Sequence, residues 1–159
     1  MIVRTKKYQL PKKTYVKLAL INLLKKQWYF IFLPIAIGCL AFIWPKAVVW
    51  FIVFAILIPV LYLLFWLIQF AGVTQLEQNK VMFEKLSYEI DSRQVLIKLN
   101  SKQGSPLQWS MFKSAYKDKD HFLLVVSKAQ LIHLPFKIFN SENDIKFVET
   151  ILRRKEYIK

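Results

Sequence analysis

The sequence predicts a membrane α+β protein, a two-span transmembrane helical hairpin followed by a small antiparallel sheet domain with a C-terminal helix. Three observations predict it. Two charge-free apolar runs are separated only by Pro45, Lys46 and Ala47. Beyond Lys80 apolar and polar residues alternate at the period of half-buried strands. Ser141 then opens a segment whose apolar residues recur at helical spacing.

The first 27 residues form a basic cytosolic segment, a strand and then a helix. Arg4, Lys6, Lys7, Lys12, Lys13, Lys17, Lys25 and Lys26 stand there with no acid among them. Ile2 to Gln9 alternates in character, and pairing with the C-terminal sheet is expected for it. Lys12 to Gln27 reads as a helix whose lysines are spread around the axis and leave no clean apolar face. Its charge sets topology and gives anionic lipid a contact of about 1 kcal/mol per Lys or Arg.

Residues 28–70 are the hairpin, with spans at 28–44 and 48–70. The first, WYFIFLPIAIGCLAFIW, covers about 25 Å at 1.5 Å per residue, near the short end of the spanning range. The second, VVWFIVFAILIPVLYLLFWLIQF, is long enough to cross with some tilt. Pro45 cannot continue the first helix but can open the second, so the two return as an antiparallel pair. Trp28, Tyr29, Trp44, Trp50 and Trp66 lie near the ends, where aromatic rings favour the headgroup level. Pro34, Gly38 and Pro59 read as bends and close helix contact rather than as gating residues. The turn carries only Lys46, so the positive-inside rule puts both termini in the cytoplasm. With no Asp, Glu, His, Lys or Arg inside either run, the spans offer no proton relay or ion-coupling residue.

Residues 80–159 are the cytosolic strand-rich domain. Leu86, Tyr88 and Ile90 alternate with Ser87, Glu89 and Asp91, and Val95, Ile97 and Leu99 form a second strand across the turn Asp91 to Gln94. Asn100 to Pro106 is a loop by residue type, and further strands are expected at Leu107 to Trp109, Phe112 to Tyr116, Phe122 to Val126 and Gln130 to Leu134. Ser141 caps a helix from Glu142 to about Lys155, with Glu142 and Asp144 in its first turn and Arg153, Arg154 and Lys155 in its last. Ile145, Val148, Ile151 and Leu152 give it a face for the sheet. Short strands closed by one packing helix outline a pleckstrin-homology-like domain, to which Ile2 to Gln9 would add a strand.

Composition narrows the function. A chain of 159 residues, with about forty in spans, has room for one soluble domain of about ninety. The single Cys39 allows neither an internal disulfide nor a thiolate metal cluster. Gly38, Gly72 and Gly104 are too far apart for a phosphate-cradling loop. Asp118, Asp120 and His121 read as a solvated hairpin tip, and His133 as a surface or satisfied core histidine. Beyond Ala71 fifteen Lys and Arg face ten Asp and Glu, a modest excess with acids interspersed, which excludes nucleic acid as a partner. No catalytic, cofactor or metal residue is expected, and the chain is read as no enzyme.

Leu107 to Phe139, LQWSMFKSAYKDKDHFLLVVSKAQLIHLPFKIF, followed by the capped helix, resembles the C-terminal domain of the YcxB-like bacterial membrane proteins. Trp109, Phe122, Pro135, Lys137 and Phe139 occupy the family's tryptophan, apolar-strand, proline, basic and aromatic positions, although the basic residue does not follow the proline directly. The two runs and the basic N-terminus are also similar to that family's layout. The resemblance implies a multi-pass protein of the bacterial cytoplasmic membrane. The expected role is an adaptor whose domain, at the inner membrane surface, binds a protein partner or its own copy. The alternative is a lipid-responsive or accessory subunit of a membrane transport or envelope system, acting through the hairpin. Candidate interaction residues are Trp109, Lys137, Arg153, Arg154 and Lys155. Trp109 reads first as a core or sheet-edge anchor and second as lining a groove for a peptide, and the three cations read first as solvated helix-end charges and second as an anionic-lipid contact.

Overall fold

The computed structural model describes residues 1–100 and 103–158, so Ser101 and Lys102 of the expected loop and the terminal Lys159 lie outside the described residues. The chain divides into two units, Met1–Lys12 with Thr74–Lys159, and Lys13–Val73.

The first unit joins both ends of the chain. Strands β1 (Val3–Arg4) and β2 (Tyr8–Gln9) both pair antiparallel with β3 (Lys85–Ile90), in the registers Val3↔Ile90 and Tyr8↔Leu86. The pairing expected of Ile2 to Gln9 is therefore present. Between the two short strands Thr5 keeps hold of β3, its N–H donating to the Tyr88 carbonyl and its Oγ1 accepting from the Tyr88 N–H, both at 2.9 Å. Lys6 then turns its own N–H to the Ile138 carbonyl at 2.8 Å. That excursion splits the N-terminal segment into two strands.

β3 continues through the Asp91–Gln94 turn into β4 (Gln94–Lys98), which pairs with β5 (Gly104–Gln108). β5 includes Gly104, Ser105 and Pro106, which residue type assigns to a loop. It is the end strand of its sheet, where a proline without an N–H is tolerated. Gly104 also lies close to β4, since a Cβ there would sit 3.2 Å from the Ile97 carbonyl oxygen. A 3-10 turn at Trp109–Met111 leads to a second sheet, β6 (Ser114–Lys117), β7 (His121–Val125) and β8 (Leu131–Pro135), in that order. After another such turn at Phe136–Ile138 comes helix α4 (Glu142–Arg154). Its cap is reciprocal, for Ser141 Oγ accepts from the Asp144 N–H and the Asp144 carboxylate accepts from the Ser141 N–H, each at 3.2 Å.

Val3, Ile90, Val95, Phe122, Leu124, Leu134, Val148 and Leu152 are fully buried in one core. Both N-terminal strands and the C-terminal helix are thus held by the same apolar cluster. Every residue of β7 is buried, so after His121 the strand reads as a continuous apolar run without alternation.

The second unit holds the apolar runs. Helix α1 spans Lys12–Lys26 and, against the expectation of no clean face, buries Tyr15, Leu18, Ala19, Asn22 and Leu23, which recur at the i, i+3, i+4, i+7 spacing of one helix stripe. Tyr15 meets Phe70 edge-on at 6.5 Å. Instead of one helix over 28–44, the chain forms a 3-10 turn at Trp28–Ile31 and then α2 (Phe32–Ile43), with a 77° bend between Lys12–Lys26 and Trp28–Ile43. A further turn at Pro45–Ala47 leads into α3 (Val48–Val73). α2 and α3 pack as an antiparallel pair, with Trp44 stacked on Phe51 at one end (6.3 Å) and Phe30 on Tyr62 at the other (5.0 Å). Gly38 is not a close-contact position, because a Cβ there would meet no atom within 4 Å.

Among the described residues one helix, Pro45–Val73, is long and apolar enough to cross a membrane, and none of its most apolar stretch is buried. The bent pair would add a second only if its two halves count as one span.

Candidate interaction surface

The five candidate residues fall in three places. Trp109 is buried, with 2% of its surface exposed, and packs on Phe112 at 5.5 Å. Its indole N–H donates to the Asp91 carbonyl at 2.9 Å, and its own carbonyl accepts from the Tyr157 hydroxyl at 2.5 Å. Of its two readings the structure favours the core anchor, and the bonds make it an anchor with two ends. One end fixes the β3–β4 turn and the other fixes the chain just past α4.

Ser92 of the β3–β4 turn also lines a small cavity of about 140 Å³, together with Phe147, Thr150, Ile151, Arg154 and Lys155. Asp91 sits next to it in sequence, but its carboxylate accepts the Arg93 and Gln94 N–H groups at 2.6 and 2.8 Å and so is spent within the turn. The Thr150 hydroxyl donates to the Lys146 carbonyl at 2.8 Å, which leaves its oxygen to accept rather than donate. The cavity lining is mostly apolar and holds no carboxylate, and it includes one serine and two exposed residues that carry cations, Arg154 and Lys155. It can hold a small anionic group joined to an apolar one.

Arg153 takes no part in it. Its guanidinium turns to Glu149 at 3.0 Å, and Glu149 also accepts the Lys117 ammonium at 2.7 Å. Hydrogen bonds from Lys117 and then Arg153 hold the Glu149 carboxyl below its ordinary range. The run Arg153-Arg154-Lys155 therefore divides, Arg153 pairing with Glu149 and Arg154 and Lys155 lining the cavity.

Lys137 lies in the turn after β8, where its charge acts on His133. The Asp120 carboxylate lies 2.6 Å from His121 Nδ1, the His121 and His133 rings are 4.6 Å apart, and His133 Nδ1 is 2.9 Å from the Tyr8 hydroxyl. His121 is not a solvated tip residue, since only 9% of it is exposed. The register explains the meeting: Leu123 stands opposite His133 and His121 opposite Pro135, so the two histidines are diagonal neighbours on one face of the β7–β8 pair. Burial first, and then the charges of His121 and Lys137, push the His133 imidazole down to about 4. The His121 hydrogen bond lowers Asp120, and burial raises the Tyr8 phenol. His133 is thus neutral at pH 7 and hydrogen-bonded to the N-terminal strand. The cluster ties β2 to β8, and among the described residues no three His, Cys, Asp or Glu come together as a metal set.

Fold and surface together define an α+β domain, built from both chain ends, that accompanies a strongly apolar helical hairpin and presents a cationic cavity at the end of its last helix. Residues 90–152, from the last residue of β3 to Leu152 in α4, match the model of the YcxB family, described as YcxB-like protein. No curated protein and no solved structure matches the chain.

Proposed function

We propose that the chain is a YcxB-like, non-enzymatic adaptor of the bacterial cytoplasmic membrane. In this reading α2 and α3 both cross the bilayer, both termini are cytoplasmic, and a pleckstrin-homology-like domain at the inner surface binds an acidic segment of a protein partner. The observation that carries it is the pairing of β1 and β2 with β3. Strands at residues 3–9 can join a strand at 85–90 only if the intervening chain crosses the membrane an even number of times. If α3 crosses, α2 must cross as well, although it is only twelve residues long. With the 3-10 turn before it, at roughly 2.0 Å per residue, Trp28–Ile43 extends about 26 Å, which tryptophans at the interface and local thinning of the bilayer accommodate. The eight Lys and Arg before Trp28, against Lys46 alone at the turn, support the same orientation.

Partner chemistry follows from the cavity beside α4. Arg154 and Lys155 supply charge, Ser92 a hydroxyl, and Phe147 and Ile151 an apolar floor, a combination suited to a carboxylate flanked by an apolar side chain. The test is crosslinking of the full chain in its native membrane, beside an Arg154→Glu/Lys155→Glu variant. A partner captured by the native chain and lost from the variant is expected. The same partner retained with both charges reversed would overturn the reading, and a partner lost only when the hairpin is altered would move the function to an accessory role within the membrane.

A further inference from the structure

We propose that the cleft at the base of the hairpin is a binding site for one anionic phospholipid, its acyl chain lodged between α2 and α3 and its phosphate held at the end of α1. This rests on the reading of α2 and α3 as membrane spans but is independent of the adaptor role. The cleft has a volume of about 470 Å³, inside the range of about 300–1,000 Å³ typical of small-molecule sites.

Two prolines line it, and a bend in the chain lies next to it. Pro59, inside α3, lacks an N–H and its ring pushes against the preceding turn, while Pro34 stands in the first turn of α2, and both line the cleft. The 77° bend after Lys26 then carries α1 away from the axis of α2, so α1 does not continue along the space beside α3.

The lining separates by chemistry. Pro34, Ile58 and Pro59 are among its apolar walls, and its hydrogen-bonding side chains are Gln27, Tyr62 and the indole of Trp28. The Tyr62 hydroxyl donates to Gln27 Oε1 at 2.5 Å, so the carboxamide is oriented and what it offers a ligand is its N–H2 donor. Lys25 and Lys26 immediately precede Gln27, and no Asp or Glu occurs anywhere from Met1 to Leu76. An apolar slot with an amide donor in its lining, and with Lys25 and Lys26 next to that donor in the chain, fits a lipid with a net negative headgroup. A zwitterionic lipid would set its own cation against Lys25 and Lys26, and an acidic peptide would leave its backbone unpaired against apolar walls.

The experiment is native mass spectrometry of the full chain released from micelles that contain equal amounts of phosphatidylglycerol and phosphatidylcholine with matched chains. One retained phosphatidylglycerol is expected, favoured over phosphatidylcholine by about thirtyfold, as two lysines near a headgroup would give. Lys25→Gln/Lys26→Gln should bring the two lipids to parity while leaving the chain in micelles. Leu63→Trp, which fills the cleft, should lose the retained lipid whichever headgroup it carries. Parity in the native chain, or a preference that survives both lysine substitutions, would overturn the site. Release of the chain from native membranes by alkaline carbonate would instead overturn the membrane reading on which it rests.

Discussion

Trp109 is where one atom's hydrogen bond has the widest consequence. Trp109→Phe keeps an aromatic ring in the core but removes the N–H that donates to the Asp91 carbonyl at 2.9 Å. A typical bond of this kind contributes about 1 kcal/mol, and a partly buried carbonyl left without its partner adds about 1 kcal/mol more. The smaller ring, at a position only 2% exposed, also forfeits packing, so the total is about 2–3 kcal/mol. For a domain of about 100 residues that corresponds to a fall in melting temperature on the order of 10 °C. Pulse proteolysis of the full chain in detergent, across a temperature series, reads the opening of the strand domain without interference from the hairpin tryptophans. Tyr157→Phe, which removes the hydroxyl bonded to the Trp109 and Phe112 carbonyls, should cost about 1 kcal/mol by the same assay. Since Trp109 sets the turn that carries Ser92, its substitution should also weaken capture of a partner that depends on Arg154 and Lys155. Melting of Trp109→Phe within about 2 °C of the native chain would refute the claim that the indole anchors this turn.

Further predictions concern the N-terminal strand, the cap and the histidines. Val3→Ala empties a position that is 1% exposed and opposite Ile90, and should destabilise the domain by about 2 kcal/mol, measurable by the same proteolysis. Ser141→Ala removes one half of the capping box of α4 and should cost about 1 kcal/mol, seen as faster amide exchange in the first turn of that helix. His133 is depressed from 6.5 to about 4 in the folded chain, so the unfolded chain binds its proton first. Its contribution to stability is complete above pH 6.5 and is lost as the pH falls through 4. A His133→Gln variant should therefore show a flatter stability profile between those values, and an unchanged profile would rule His133 out as its source.

Much of the fold is legible because its signals are local. Charge-free runs, period-two alternation in 85–98 and the Ser141 cap each depend on neighbouring residues alone, and the structure places α3, β3, β4 and α4 accordingly. The bend before Trp28 carries no such mark. No glycine or proline stands at Lys26, Gln27 or Trp28, and the apolar run begins there as smoothly as a straight helix would. β5 was hidden for the opposite reason, because Gly104-Ser105-Pro106 has turn chemistry and becomes strand only through pairing with β4 at the sheet's end. The candidate surface was legible in its charges but not in its division, since the split of Arg153 from Arg154 and Lys155 depends on where Glu149, Lys117 and Ser92 lie in space. The contact of Tyr8, His121 and His133 had no sequence signal at all. It follows from the β7–β8 register and from a strand 125 residues away from His133.

The arrangement of the hairpin across the bilayer is the claim on which the account turns, and cysteine accessibility tests it directly. With Cys39 replaced by Ala, single cysteines would be placed at Lys7, Lys46 and Lys119, and a membrane-impermeant maleimide applied to intact spheroplasts. The account predicts labelling at position 46 alone, with positions 7 and 119 reached only after the membrane is opened. Labelling of position 7 or 119 from outside, or protection of position 46, would contradict it.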